Sequence, residues 1–306
     1  MAVFYMMIGI AGSGKSYIAR ELSNCFCPIV SSDAIRAELY GSEDDQSHNN
    51  EVFNELHKRI RSHLNAGQSC IYDATNLSRK RRKAFLKELP AGVKKIAVVA
   101  ATELDVILEQ NASRERHVPE DVIMRMYKQL TLPRLDEGWD SIRIISHPKN
   151  RKTLGEYLYD AYGVDHDNPH HSADIFNHMI EAGAYASAHA SDYGFSKDEK
   201  HLARTAALFH DIGKPVVKSR RKMNGDLDDK SHYYNHAELG AYMVACCVGQ
   251  YSEKSQPFYA DVIILIQWHM EAFANPDHYL DEFEKYYGSE MRRIYELVHE
   301  ADLAAH

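Results

Sequence analysis

The sequence predicts two domains of different class: an α/β domain built on a parallel sheet over residues 1–150, and an all-α domain over residues 151–306. Three observations predict this. Short apolar runs alternate with helix-patterned segments through the first half, as strands joined by crossover helices do. In the second half apolar residues recur at spacings of three and four, with no sustained alternation. Charge and histidine divide at the same place. Residues 1–150 carry 21 Lys+Arg against 19 Asp+Glu, whereas the remainder carries 15 against 25 and holds 13 of the 18 histidines. At 306 residues each half is long enough to bury its own core.

The apolar run at residues 3–8 reads as a strand and residues 17–22 as a helix. Between them stands Gly9-Ile10-Ala11-Gly12-Ser13-Gly14-Lys15-Ser16. A strand that ends in a glycine-rich loop opening a helix aims backbone N–H groups and the positive end of the helix dipole at one point, where a polyphosphate belongs. Gly12, Ser13 and Gly14 would cradle the phosphates of a nucleoside triphosphate, Lys15 would reach its β/γ-phosphates, and the Ser16 hydroxyl would hold Mg²⁺. The loop names the donor and leaves the acceptor open.

Residues 27–30 read as a second strand, ending at Ser31-Ser32-Asp33, with a helix over 34–40. Asp33 is either the cap of that helix or a carboxylate on the ligand side of an open α/β sheet, and Arg36 shares its face. After a polar stretch, Val52, Phe53, Leu56, Ile60 and Leu64 give a helix over 50–64. A strand over 69–72 runs into Asp73, and the basic run from Arg79 to Lys83 opens another helix, as a solvated face or as the flank of an acceptor groove. A strand over 93–101 and a helix over 103–110 follow. Arg114 and Arg116 then precede Pro119 and a helix over 120–130, in the manner of a lid or of an exposed turn. A strand over 141–145 closes this half.

The loop, Ser31–Arg36 (SSDAIR), Asp73–Arg82 (DATNLSRKRR) and Asn111–Pro119 (NASRERHVP) together resemble the P-loop polynucleotide kinases of bacteriophage and bacterial RNA-repair enzymes. The resemblance implies that Asp33 takes the proton of a 5′-hydroxyl, that Arg36 contacts the acceptor's phosphate, and that Arg114 or Arg116 neutralises the transferred phosphoryl group. Asp73 would be a Walker-B-like carboxylate. Phosphoryl transfer needs these parts: positioning, charge neutralisation and one proton acceptor.

In the second half, tyrosines 157, 159 and 162 suggest a short packed helix. Ile175, Met179, Ile180 and Ala184 share one helical face, as do Leu202, Ala206 and Phe209, and Ile263, Ile264, Ile266 and Gln267 continue the pattern. His210-Asp211 stands at a helix end that Gly213 would close. His178, His236, His269 and Asp302 lie on four other helical segments. Imidazoles and carboxylates converging from several helices favour a divalent ion such as Mn²⁺, Fe, Co²⁺ or Ni²⁺. Lys218, Arg220, Arg221 and Lys222, followed by Asn224-Gly225-Asp226, form a hairpin-like loop, either solvated or a substrate clamp. Asn168–His178, Leu208–Pro215 (LFHDIGKP), Tyr234–Ala241, Trp268-His269 and Ala301–Ala305 resemble the HD phosphohydrolases. That likeness implies a first metal on His178, His210, Asp211 and Asp302, with His170 or His171 competing for the place of His178. It implies a second metal on His236 and His269 with Asp211 bridging, and Lys214 on a substrate phosphate.

A net charge of −8 argues against generic coating of nucleic acid. Five cysteines without zinc-ribbon spacing read as reduced thiols of a cytoplasmic protein, and no run reaches the roughly 18 apolar residues of a membrane span. A kinase and a phosphohydrolase make sense together on different atoms. Ribonuclease cleavage leaves a 5′-hydroxyl and a 2′,3′-cyclic phosphate, so the expectation is a bifunctional enzyme that heals RNA or DNA ends for a separate RNA ligase. The alternatives are a nucleoside or nucleotide kinase fused to an HD nucleotidase, and a non-catalytic ATP-binding nucleotide sensor.

Overall fold

A computed structural model describes residues 1–24, 27–167 and 174–305 of the chain, which fall into two units, Met1–His147 and Pro148–His306. Cys25 lies outside the described residues. Cys27, Cys70, Cys246 and Cys247 are buried, and none forms a disulfide among the described residues.

The first unit runs β1 (Val3–Ile8), α1 (Lys15–Leu22), β2 (Ile29–Ser31), α2 (Ser32–Tyr40), α3 (Asn49–Asn65), β3 (Cys70–Asp73), α4 (Arg79–Leu86), β4 (Lys94–Ala101), α5 (Leu104–Ala112), α6 (Glu120–Gln129) and β5 (Ser141–Ser146). The five strands pair in parallel in the order β2-β3-β1-β4-β5. Both faces of the sheet are covered, which is why β4 is a continuous apolar run, buried from Ile96 to Ala101, and not an alternating one. Met7, Ile71, Ile96 and Val98 pack on Ala19 of α1. Strand order reverses at β1, so the crevice beyond its carboxyl end is the natural ligand position of an open α/β sheet.

The second unit runs α7 (Leu154–Tyr159), α8 (Ile175–His189), α9 (Lys197–Phe209), α10 (Lys214–Val217), β6 (Ser219–Arg221), β7 (Leu227–His232), α11 (His236–Cys247), α12 (Gln256–Trp268), α13 (Glu271–Ala274) and α14 (Pro276–Ala304). Among the described residues it is helical apart from the β6–β7 hairpin, which forms where the hairpin-like loop was expected. Helix α11 is buried along its whole length, so it has no polar face.

Four local expectations change. Asp33 is not the cap of α2: the Ser31 hydroxyl accepts from the N–H of Ala34, and Asp33 stands in the first turn. Arg82, inside the basic run, is buried against Glu137 at 2.7 Å and also donates to four backbone carbonyls, so its charge serves the fold. The inward face of α8 is Ile175, His178, Met179, Ala182 and Ala186, while Ile180 and Ala184 face water. Of the three tyrosines, Tyr157 is buried, and Tyr159 and Tyr162 stack on each other in solvent.

Candidate functional site

Each unit carries a cluster of chemistry-bearing side chains. In the first, Gly12 and Gly14 hold φ of 88° and 81°, a region that favours glycine, and they curl the chain into α1. The loop is tied down from both sides: Thr102 Oγ1 donates to Ser13 O at 2.9 Å, and Gly9 N donates to Thr75 O at 3.0 Å. Lys15 is buried, with its ammonium donating to Ile10 O at 2.7 Å. Burial pushes its pKa down to about 8, against the pull of Asp73 and Asp33. Such a lysine gains from an incoming polyphosphate, which restores the charge environment that burial removed. Ser16 Oγ donates to Asp73 Oδ2 at 2.9 Å, so the hydroxyl expected to hold Mg²⁺ and the carboxylate at the end of β3 share one spot, a hydroxyl–carboxylate set that fits a hard cation.

The acceptor side faces the same cavity, about 1740 Å³ in volume, which Lys15, Asp33, Arg36, Asp73, Arg114 and Arg116 line. Asp33 is half exposed and lies 2.6 Å from Nη1 of the buried Arg36. Arg36 is aimed by Asn49, whose Oδ1 accepts from Nη2 at 3.0 Å, and its Nε has no hydrogen-bond partner among the described residues. The two lid arginines diverge. Arg114 is exposed and close enough to Lys15 to depress its pKa. Arg116 pairs with Asp33 at 3.6 Å, with Glu43 at 3.5 Å and with Asp44. The lid's base is fixed by Asn111, which donates to Val118 O at 2.8 Å and accepts from Val118 N at 2.9 Å.

In the second unit all six predicted ligands meet. His178 (α8), His210 (the residue after α9) and Asp302 (α14) form one group; Asp211, His236 (α11) and His269 (the residue after α12) form another. Within the first group His178 Nε2 lies 3.2 Å from His210 Nε2 and 3.1 Å from Asp302 Oδ1, and Asp211 Oδ2 lies 3.2 Å from His210 Nε2. Asp211 Oδ1 lies 3.1 Å from His236 Nε2 and 3.7 Å from His269 Nε2. One carboxylate thus turns an oxygen to each group, the disposition of a bridge.

Tautomers decide whether metals fit. His178, His210, His236 and His269 each place Nδ1 on a backbone carbonyl: Ala305, Ala207, Tyr233 and Ile266, at 2.7 to 2.9 Å. A carbonyl only accepts, so each Nδ1 carries the proton and each Nε2 turns a lone pair inward. Two such nitrogens can stand at 3.2 Å only with a proton or a metal cation between them, and the raised pKa of His210 marks the same local excess of negative charge. Both oxygens of Asp211 are buried and, among the described residues, have no hydrogen-bond donor apart from their charged neighbours. The set therefore fits divalent cations. Burial lowers the pKa of His210, but the carboxylates of Asp211 and Asp302 outweigh it and hold it at about 10. His269, buried beside His236 and His210, is pushed down to about 3. Burial raises Asp211 and Asp302, yet His210 and its neighbours hold both well below the usual range.

Gly213 does not close a helix by positive φ; it permits contact. A Cβ there would stand 2.2 Å from His236 O, so the glycine lets the turn after Asp211 press on the start of α11. Lys214 pairs with Asp211 and lies 5.5 Å from the ring of Tyr233. His170 and His171 lie outside the described residues. Sequence reasoning missed Asn49, Asn111 and His166, which is buried with its ring 5.3 Å from that of His178. Asn111 heads the lid motif, a signal that was available; Asn49 and His166 sit in polar stretches with none.

Residues 4–133 match the model of an AAA domain, and residues 175–304 that of an HD domain. No curated protein matches the chain. Similar solved structures include a kinase from Chloroflexus aurantiacus at 16% identity (46% of this chain, 86% of that one, TM-score 0.40). The Pnkp1/Rnl/Hen1 RNA repair complex aligns at 18% identity (42% and 44%, TM-score 0.39). A sugar kinase from Janibacter sp. aligns at 21% identity (47% and 86%, TM-score 0.36).

Proposed function

We propose that this chain, which joins an AAA-type P-loop domain to an HD domain, is a bifunctional end-healing enzyme. It phosphorylates 5′-hydroxyl ends of RNA with ATP and removes 2′,3′-cyclic phosphate or 2′-phosphate ends by hydrolysis. The observation that carries the reading is the shared cavity. At about 1740 Å³ it joins Lys15 to Asp33 and Arg36 and exceeds the roughly 300–1,000 Å³ usual for a small-molecule site.

In the transfer half, Gly12, Ser13, Gly14 and Lys15 hold the phosphates of ATP, and Ser16 with Asp73 holds Mg²⁺. When bound, that ion neutralises phosphate charge. Asp33, at the carboxyl edge of the sheet, accepts the proton of the 5′-hydroxyl. Arg36, held by Asn49, supplies the positive charge beside the acceptor's phosphate. Arg114, on the Lys15 side, meets the charge that develops on the transferred group. Arg116 acts on the Asp33 side and orients the base.

In the hydrolytic half, His178, His210, Asp211 and Asp302 hold one divalent ion, and Asp211, His236 and His269 the other. When bound, such a pair polarises the phosphoryl oxygens and lowers the pKa of water. The backbone carbonyls keep each imidazole in the ligating tautomer, and Lys214 moves from Asp211 to a substrate phosphate. Mn²⁺, Fe, Co²⁺ or Ni²⁺ suits this donor set. The products are ends that a separate RNA ligase can seal, in the cytoplasm.

The test is turnover with ATP and a 5′-hydroxyl oligonucleotide ending in a 2′,3′-cyclic phosphate. Both ends should be processed. Glu43 and Asp44, acidic and exposed beside the cavity, favour a second reading: a small acceptor, with the other half acting on free nucleotides. Turnover of mononucleotides with none on RNA termini would establish that reading instead.

A further inference from the structure

Beyond the reacting atoms the same cavity is lined by α3 and α4, with the end of β3 between them. On α3 its lining residues are Asn49 and Asn50 in the first turn, then Phe53 and His57 one turn apart on the same face. Phe53 and His57 are partly exposed. The His57 ring is fixed from behind, stacked on Phe85 at 4.1 Å with Nε2 3.2 Å from Tyr72 Oη. From α4 and α6 come Lys80, Arg81 and Arg125, all exposed.

Charge pairing separates these three cations from their neighbours. Arg36, Arg59, Arg61, Arg79, Arg82, Arg116 and Arg134 each stand within ion-pair distance of a carboxylate. Among the described residues Lys80, Arg81 and Arg125 do not. Glu88, the acid on this stretch of wall, is held by Arg61 at 2.6 Å. A cavity that keeps its aromatic faces open and its cations uncommitted is built for bases and phosphates together.

We infer that this stretch is a track for the single-stranded nucleic acid that follows the reacting 5′-hydroxyl nucleotide. Bases lie on Phe53 and His57, and the phosphates between them meet Lys80, Arg81 and Arg125. From Asn49 to His57 helix α3 rises about 12 Å, room for roughly two nucleotides beyond the one that reacts. The inference rests on the reading of the first half as a 5′-hydroxyl kinase, and it narrows the acceptor to an oligomer of three or more nucleotides.

The experiment measures kcat/KM across salt concentrations for a 5′-hydroxyl hexanucleotide and for a nucleoside 3′-monophosphate. It uses the full chain and its Phe53→Ala, Phe53→Tyr, Lys80→Ala/Arg81→Ala and Lys80→Arg/Arg81→Lys variants. The wild type should prefer the hexamer roughly tenfold or more, mostly through KM. The two alanine variants should each shrink that preference severalfold, and the two conservative variants should retain it. For the double alanine variant the slope of log(kcat/KM) against log[salt] should also flatten by about 0.7 for each phosphate deprived of its cation. A hexamer preference and salt slope unchanged in the alanine variants overturn the track and leave the kinase reading standing. So does a wild type that uses the monophosphate as well as the hexamer. A wild type that phosphorylates neither overturns the kinase reading and the track with it.

Discussion

Asp211 shows how much one residue's surroundings determine. Its two oxygens face different histidine groups, so its loss should disable both metal positions, whereas loss of His236 or His269 removes a ligand from one. Asp211→Asn should abolish hydrolysis of a 2′,3′-cyclic phosphate, with bound metal falling at both positions. His236→Ala should spare the first, which metal stoichiometry of the purified variants will read. In the transfer half, Asp33→Ala should lower the rate by about 10²–10⁴, the span of a lost general base. Arg114→Ala should act on kcat more than on ATP affinity, because the charge it meets develops late. If Arg116→Ala costs more kcat than Arg114→Ala, then Arg116 is the residue that meets the transferred group. That these six side chains would converge was legible in the sequence, because imidazole and aspartate at intervals on otherwise apolar helices have few other uses. The partners of Arg116 were not: Glu43 and Asp44 lie some seventy residues away in a polar stretch with no pattern to mark them.

At the scale of elements, the strands and helices of the first half were readable because each carries its own period, and a buried parallel strand such as β4 advertises itself as an unbroken apolar run. The use made of Arg82 was hidden, since a basic run looks solvated until the chain that covers it is known. Its guanidinium joins the loop after β3 to the one after α6, through Asn76 O, Leu77 O, Thr131 O and Leu132 O, and neutralises the buried Glu137. Arg82→Met should therefore destabilise the first unit by about 3–5 kcal/mol, because it leaves the buried Glu137 with only the more distant Arg79, at 3.5 Å, as a countercharge. Denaturant unfolding checks this, and a loss below about 1 kcal/mol would place the pair among weak surface contacts. Gly213 was legible as a glycine and misread as a stop signal, since close approach of two backbones leaves no trace in sequence. Gly213→Ala should push the start of α11 away from Asp211 and impair hydrolysis through the second metal position. Its signature is weaker metal binding in a chain that still folds.

At the scale of the molecule, the division into two chemistries follows from where the parts originate. Lys15, Asp33, Arg36, Arg114 and Arg116 all belong to the unit Met1–His147, and His178, His210, Asp211, His236, His269 and Asp302 all belong to Pro148–His306. Each proposed reaction would thus be supplied by its own unit. Lys15→Ala should remove phosphorylation of 5′-hydroxyl ends and leave hydrolysis of the cyclic phosphate; His210→Ala should do the reverse. Chelators cannot make this separation, because both halves are expected to use divalent ions, so the variants must. A mixture of the two variants, given RNA with a 5′-hydroxyl and a 2′,3′-cyclic phosphate, should yield ends that an added RNA ligase joins. On the proposed reading each end is processed in a separate encounter, so neither step should require the other to occur in the same molecule. If each variant retains its own activity but the mixture yields no sealable RNA, the two steps are coupled within one chain and the sites are not independent. If each variant loses both activities while still folded, the separation into two sites fails with it.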